Sequence, residues 1–227
     1  MPTVRLENVA KIYKNSRRGV SATLEVDLTI RQGEFVFING GRGAGKTTLA
    51  QLITGELEPD RGAVWLGGAD LTHLPQSESA HLRDCIGAVS EDSGLNPSET
   101  LFKNLASGNH LEYLRDRLFH GARIEKALAL VGLSGSGHRF ARELTSSECR
   151  RAELARAIWR SPSILVLDGL TAHTDDDTVW DMLHLLTALN ERGTTVILTT
   201  DGSYGSILNK RVIALREGKV ESDSPRG

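Results

Sequence analysis

Residues Gly40–Thr47 read GGRGAGKT, a full match to the pattern G-x-x-x-x-G-K-[ST]. The pattern carries chemistry because its glycines let backbone N–H groups turn toward a polyphosphate. The helix that follows adds the positive end of its dipole. In such a loop Lys46 reaches the β- and γ-phosphates and the Thr47 hydroxyl is a Mg²⁺ ligand. A chance glycine-rich turn would lack the flanks found here. Glu34–Asn39 (EFVFIN) is a short apolar run that reads as a strand, and KTTLAQLITG reads as a helix closed by Gly55. That order makes Gly40, Gly41, Arg42, Gly43, Ala44, Gly45, Lys46, Thr47 and Thr48 the candidate nucleotide-binding residues.

Outward from the loop, Leu24, Val26, Leu28 and Ile30 recur at every second position, the period of a half-buried strand. Ala63–Leu66 and Ile86–Val89 read as further strands. From about residue 95 to 160 the pattern turns helical, with Ile124, Leu128 and Val131 on one face, and this predicts an inserted α-helical lobe. Ser163–Leu167 (SILVL) is a buried strand of the parallel type. Val179, Met182, Leu183, Leu186 and Leu189 then mark a helix, Thr195–Thr199 another strand, and Arg211–Val220 a hairpin around Glu217-Gly218. The last residues, SDSPRG, read as a frayed tail. Strands alternating with helices predict an α/β domain across residues 1–227. Asp168 ends the apolar strand ILVL, where a Walker-B carboxylate would hold Mg²⁺ through water.

Composition removes other classes. The chain has 227 residues, 39% hydrophobic and 25% charged, enough for one large domain with a sizeable core. A net charge of -2 carries no basic excess, so no nucleic-acid partner is expected. No apolar run approaches the roughly 20 residues of a spanning helix. MPTVRLENV has no apolar stretch behind a basic start, which predicts no secretory signal. Cys85 and Cys149 form neither a disulfide framework nor a metal spacing, so a reduced cytosolic setting is expected. A GTPase would need N-K-x-D, but Asn209-Lys210 is followed by Arg211 and Val212.

The longer stretches resemble the ABC-type ATP-binding domains, in the branch of the bacterial cell-division ATP-binding proteins (FtsE) and related lipoprotein- and macrolide-export ATPases. VAKIYKN is similar to that family's opening segment, GGRGAGKTTL to its Walker A, and LRDCIGAVSEDSGL to its Q-loop region. ELTSSECRRAELARAIWRSPSILVLDGLTAHTD resembles the signature helix, Walker B and D-loop as one block. The resemblance covers nearly the whole chain. It implies a P-loop NTPase fold, with a RecA-like core, an antiparallel β subdomain and the inserted helical lobe. It implies ATP and Mg²⁺ as cofactors, with Tyr13 stacking on adenine and Asp175 as the D-loop aspartate. It also implies a homodimer or a heterodimer with another ABC subunit, docked on an integral-membrane permease (FtsX-like or a transporter subunit). The expected place is the cytoplasm, peripheral to the inner face of the cell membrane.

The departures from that family carry most of the functional information. The Q-loop glutamine falls on Glu91, a carboxylate placed to approach Mg²⁺. The signature LSGGE becomes Leu144, Thr145, Ser146, Ser147 and Glu148, so both glycines are gone. Serines there add bulk and resist a φ > 0 backbone. The glutamate after the Walker-B aspartate is Gly169, and the switch histidine is Asp201. General-base assistance is worth about 10²- to 10⁴-fold, and glycine has no side chain to supply it. Asp201 sets a negative charge against a negative phosphate where phosphoryl transfer needs the opposite. Three functions stay open on this reading. The leading one is an ATP-binding, FtsE-like scaffold or regulator with weak or absent hydrolysis. The others are an active ABC transport or cell-division ATPase using substitute residues such as His173, and the degenerate half of a heterodimer.

Overall fold

The period-2 apolar set of Leu24, Val26, Leu28 and Ile30 forms the inward face of a long strand, as its alternation requires. In the computed structural model, which describes residues 4–15, 19–72, 85–90, 94–106, 120–171 and 174–224, that strand is β2 (Gly19–Ile30). It pairs antiparallel with β1 (Val4–Asn15). β3 (Phe35–Asn39) leads through the glycine loop into α1 (Lys46–Thr54), which ends on Gly55 in a left-handed conformation. β4 (Arg61–Leu66) and the two-residue β5 (Ala69–Asp70) complete the antiparallel edge, and β6 (Ile86–Val89) joins the parallel part.

Between β6 and the next strand the described residues carry helices: α2 (Leu101–Leu105), α3 (Gly121–Leu130) and α4 (Ser146–Ile158). β7 (Ile164–Leu167), α5 (Asp176–Glu191) and β8 (Thr195–Thr200) follow. The short α6 (Tyr204–Ile207) precedes the closing hairpin of β9 (Arg211–Arg216) and β10 (Lys219–Ser224). The strands form one mixed sheet in the order β5-β4-β1-β2-β10-β9-β3-β8-β7-β6. Its centre is parallel, as expected for strands buried on both faces. A single parallel pair, Lys219 with Glu25, joins the antiparallel edge to that centre.

The pleat divides the core in two. Phe37, Leu165, Leu167 and Leu198 face the helices α2 to α5, while Val36, Ile38, Val166 and Ile197 face α1 and the antiparallel strands. This is a P-loop α/β fold, in line with the sequence. No helix among the described residues is long and apolar enough to cross a membrane.

Two features depart from the sequence reading. β1 is a full strand, yet its apolar residues Val4 and Leu6 lose their period before Val9. A bulge at Asn8, with φ 48, shifts the register there and swaps the faces. The SDSPRG segment is also no frayed end over its first half. Ser222, Asp223 and Ser224 pair with Ala214, Ile213 and Val212. Arg211 holds Asp223 through two hydrogen bonds of 2.8 and 2.7 Å and also donates to Glu34 and the Thr29 carbonyl. Arg211 lowers the Asp223 pKa below the ordinary carboxylate value.

Candidate nucleotide site

The parallel strands β3, β7 and β8 end on one side of the sheet, and each delivers a polar residue there. β3 hands over to the glycine loop, β7 to Asp168 and Gly169, and β8 to Thr199, Thr200 and Asp201. This is where ligands bind in open α/β sheets. A cavity of about 790 Å³ lies at that point, lined by Arg42 through Thr48, Asp168, Gly169, Thr171 and Thr199 through Asp201. The Lys46 ammonium donates to the Gly40 carbonyl at 2.6 Å and to the Gly41 carbonyl at 3.2 Å. Lys46 and Thr47 open α1, so their amides have no partner within the helix and are available to an anion.

Tyr13 stands beside the same loop. Its hydroxyl lies 2.9 Å from Thr48 Oγ1. A second hollow of about 350 Å³ is lined by Tyr13, Thr23, Leu24, Glu217 and Gly218, and shares Gly43, Gly45 and Thr48 with the loop. The closing hairpin is stitched to that loop. Gly218 N–H donates to the Ala44 carbonyl at 3.1 Å, and Glu25 N–H donates to the Gly218 carbonyl at 2.7 Å.

Asp168 is buried, and its carboxylate is only half satisfied. Oδ1 accepts the Thr199 hydroxyl proton, whereas Oδ2 is buried with no hydrogen-bond partner among the described residues. A buried carboxylate oxygen left in this way is costly unless a cation faces it. With the Thr47 hydroxyl in the same wall, the donors are hard oxygens of the kind Mg²⁺ takes, and the residues present fit that ion. Among the described residues no three His, Cys, Asp or Glu side chains form a protein-only metal cage. A metal here would therefore need ligand oxygens as well.

Gly169 has φ 71, the left-handed region, and its N–H donates to Thr199 Oγ1 at 3.3 Å. Asp201 is exposed at the cavity wall. Glu91 and His173, expected near the metal and the attacking water, lie outside the described residues.

The signature segment has a local role that the departures hid. Thr145 is the N-cap of α4, its Oγ1 accepting from Glu148 N–H while Glu148 Oε2 accepts from Thr145 N–H at 2.8 Å. T-S-S-E is thus a capping box, a signal present in the sequence. Ser146 and Ser147 take ordinary helical backbone in the first turn, so the left-handed conformation they were expected to resist is not required. Arg139 donates to Glu148 at 2.7 Å and pulls its pKa below the usual carboxylate value. Asp175 caps α5 through Thr178 N–H and accepts the Ser147 hydroxyl, which holds its pKa down at about 2.

Sequence reasoning did not single out Thr199, Thr171 or Asn39. Asn39 Nδ2 donates to the Gly202 carbonyl at 3.1 Å, tying the start of the glycine loop to the turn that carries Asp201. Thr199 sits inside the apolar run TVILTT, where nothing local marks it.

Comparison with known proteins gives the family and the fold. Residues 24–172 match the family described as ABC transporter. A cell division ATP-binding protein FtsE from Bacillus subtilis is 33% identical over 99% of this chain and 97% of its own length. A methionine import ATP-binding protein, MetN 2 from Rhodococcus jostii, is 34% identical over 96% of this chain and 65% of its own. Among solved structures, a dimeric post-hydrolysis ATP-binding cassette bound to ADP and Pi superposes with TM-score 0.82 and 26% identity, covering 99% of both chains.

Proposed function

Because this chain belongs to the ABC transporter family of ATP-binding domains, we propose that it binds Mg-ATP as a nucleotide-gated subunit with weak or absent hydrolysis. The observation that carries the reading is Gly169. The position next to Asp168 that resembles the family's water-activating glutamate holds a glycine in left-handed backbone. Among the described residues the wall beside it offers Thr171, Thr199, Thr200 and Asp201, with no glutamate or histidine.

The residues divide the work as follows. Gly40 to Thr48 cradle the phosphates, with Lys46 exchanging its loop carbonyls for phosphate oxygens. Thr47 and Asp168 Oδ2 hold Mg²⁺, which neutralises phosphate charge when bound. Tyr13 supports the base across the second hollow. Asp201 gives the terminal phosphate a negative neighbour in place of a hydrogen-bond donor, which withholds stabilisation from phosphoryl transfer. Full-length similarity to FtsE, and similarity to MetN 2, support a membrane permease as the partner and the inner face of the membrane as the working place. A paired subunit is supported by the dimeric cassette. ATP occupancy would then gate the partner's conformation, and turnover would not be the output.

The test is thermal melting paired with phosphate release on one preparation. Ligand at 100 times its Kd stabilises by about 2.7 kcal/mol, and each kcal/mol moves Tm by about 2–4 °C at this size. Mg-ATP should raise Tm by about 5 °C or more, Lys46→Ala should remove that rise, and phosphate release should stay at background. No shift in the wild type would sink the binding reading. Release at the rate of an ordinary ABC ATPase would sink the gating reading.

A further inference from the structure

We infer that Thr199 is the positioning residue that decides which oxygen of Asp168 is offered to the metal; this rests on the Mg-ATP reading above. Thr199 follows Leu198, which pairs with Leu167 across the parallel strands β7 and β8, so Thr199 and Asp168 are neighbours by register. Its side chain is buried, 2% exposed, and its hydroxyl has a forced orientation. The oxygen accepts the Gly169 amide hydrogen at 3.3 Å. The single hydroxyl proton goes to Asp168 Oδ1. A hydroxyl has one proton to give, so the carboxylate is pinned by Oδ1 and cannot rotate without breaking that bond.

The consequence lies at the other oxygen. Oδ2 is buried and has no partner among the described residues, and Asp168 lines the nucleotide cavity. Asp168 N–H meanwhile donates to the Val89 carbonyl at 2.7 Å, which holds its backbone in place. With the main chain and Oδ1 both tied down, the arrangement presents one oxygen in one orientation before any metal arrives. Groups that orient a metal ligand from behind in this way are typically worth about 10- to 100-fold in metal affinity. The same hydroxyl reaches the Gly169 amide, so Thr199 also fixes the backbone at the position where the family's glutamate is missing.

The experiment compares ATP affinity with Mg²⁺ and with EDTA, by equilibrium titration of the whole chain, in wild type, Thr199→Val and Thr199→Ser. Valine keeps the branched shape and removes the hydroxyl. Wild type should bind ATP more tightly with Mg²⁺ than without. Thr199→Val should cut that advantage by about 10-fold or more while metal-free affinity stays put, and Thr199→Ser should restore it. An unchanged ratio in Thr199→Val overturns the inference while leaving the Mg-ATP reading intact. Thr199→Ser as damaged as Thr199→Val would overturn it too, because shape and not the hydroxyl would then be responsible. A wild type that binds no ATP overturns the underlying reading as well. A readout that needs no variant to fold is the Gly169 amide resonance of the ATP-loaded wild type. It should move on Mg²⁺ addition, and a resonance that stays still counts against the inference.

Discussion

The Ser147 hydroxyl donates to Asp175 Oδ2 at 2.5 Å, joining the first turn of α4 to the N-cap of α5. The two residues lie in segments that resemble the family's signature and D-loop. Here they engage each other within one chain. A glycine at position 147 would have no side chain with which to make this bond.

Asp175 should therefore report on Ser147. The Ser147 hydroxyl, first, and the Thr178 amide lower its pKa from 3.8 to about 2. Its depressed pKa contributes stability that is present above the unfolded value near 3.8 and is lost as pH falls through about 2. Carboxyl NMR titration of Ser147→Gly should find the Asp175 midpoint moved up toward its ordinary value. The stability difference between variant and wild type should close below that window. An unmoved midpoint would show that the bond does not persist in solution.

Gly169→Glu alone should not yield an active ATPase. A non-glycine residue at φ 71 costs about 1–3 kcal/mol, so the variant should melt about 2 °C or more lower. Its new carboxylate would still face Asp201 across the cavity. Residues acting as a unit are strongly non-additive, so one repair recovers little. Steady-state phosphate release should rise only when Gly169→Glu is combined with Asp201→His, Ser146→Gly and Ser147→Gly. Full rescue by the single change would show that the remaining substitutions are tolerated.

Tyr13 separates ring from hydroxyl. Tyr13→Phe removes the hydroxyl's contact with Thr48 Oγ1 and should leave ATP affinity within about twofold, since an exposed hydrogen bond is worth little net. Tyr13→Ala removes the ring, and a stacked pair is worth about 0.5–1.5 kcal/mol, a loss of about 2- to 12-fold in Kd. Equal effects of the two substitutions in a nucleotide titration would place the base elsewhere.

Gly218 tests the link between the closing hairpin and the phosphate loop. A Cβ at Gly218 would lie 1.9 Å from the Thr23 carbonyl oxygen, and the residue has φ 78. Gly218→Ala should lower stability by about 2 kcal/mol or more, or roughly 4–8 °C in Tm. Because Gly218 N–H holds the Ala44 carbonyl, ATP affinity should fall as well. A destabilised variant with wild-type affinity would show that the loop keeps its shape unaided.

Asp223→Ala tests the last strand. The Arg211–Asp223 pair is partly exposed, so its loss should cost at most about 1 kcal/mol, seen as a Tm drop of about 2–4 °C. No drop would mean that the Arg211–Asp223 pair contributes nothing measurable to stability.

The sequence alone determined the phosphate loop, the strand and helix on either side of it, and Asp168 at the end of an apolar run. These are features of consecutive residues, and short-range backbone geometry with a period of 2 or 3.6 expresses them directly. It also carried the T-S-S-E capping box, which reads as a helix start once the missing glycines stop drawing attention. β1 was illegible because the bulge at Asn8 flips the faces midway, and a broken period looks like none. Thr199 over Asp168, Ser147 on Asp175, Gly218 under Ala44 and Arg211 around Asp223 were decided by the tertiary structure. Each pairs residues from different elements, and such a pair exists only once strand register and helix docking bring single atoms within hydrogen-bond reach.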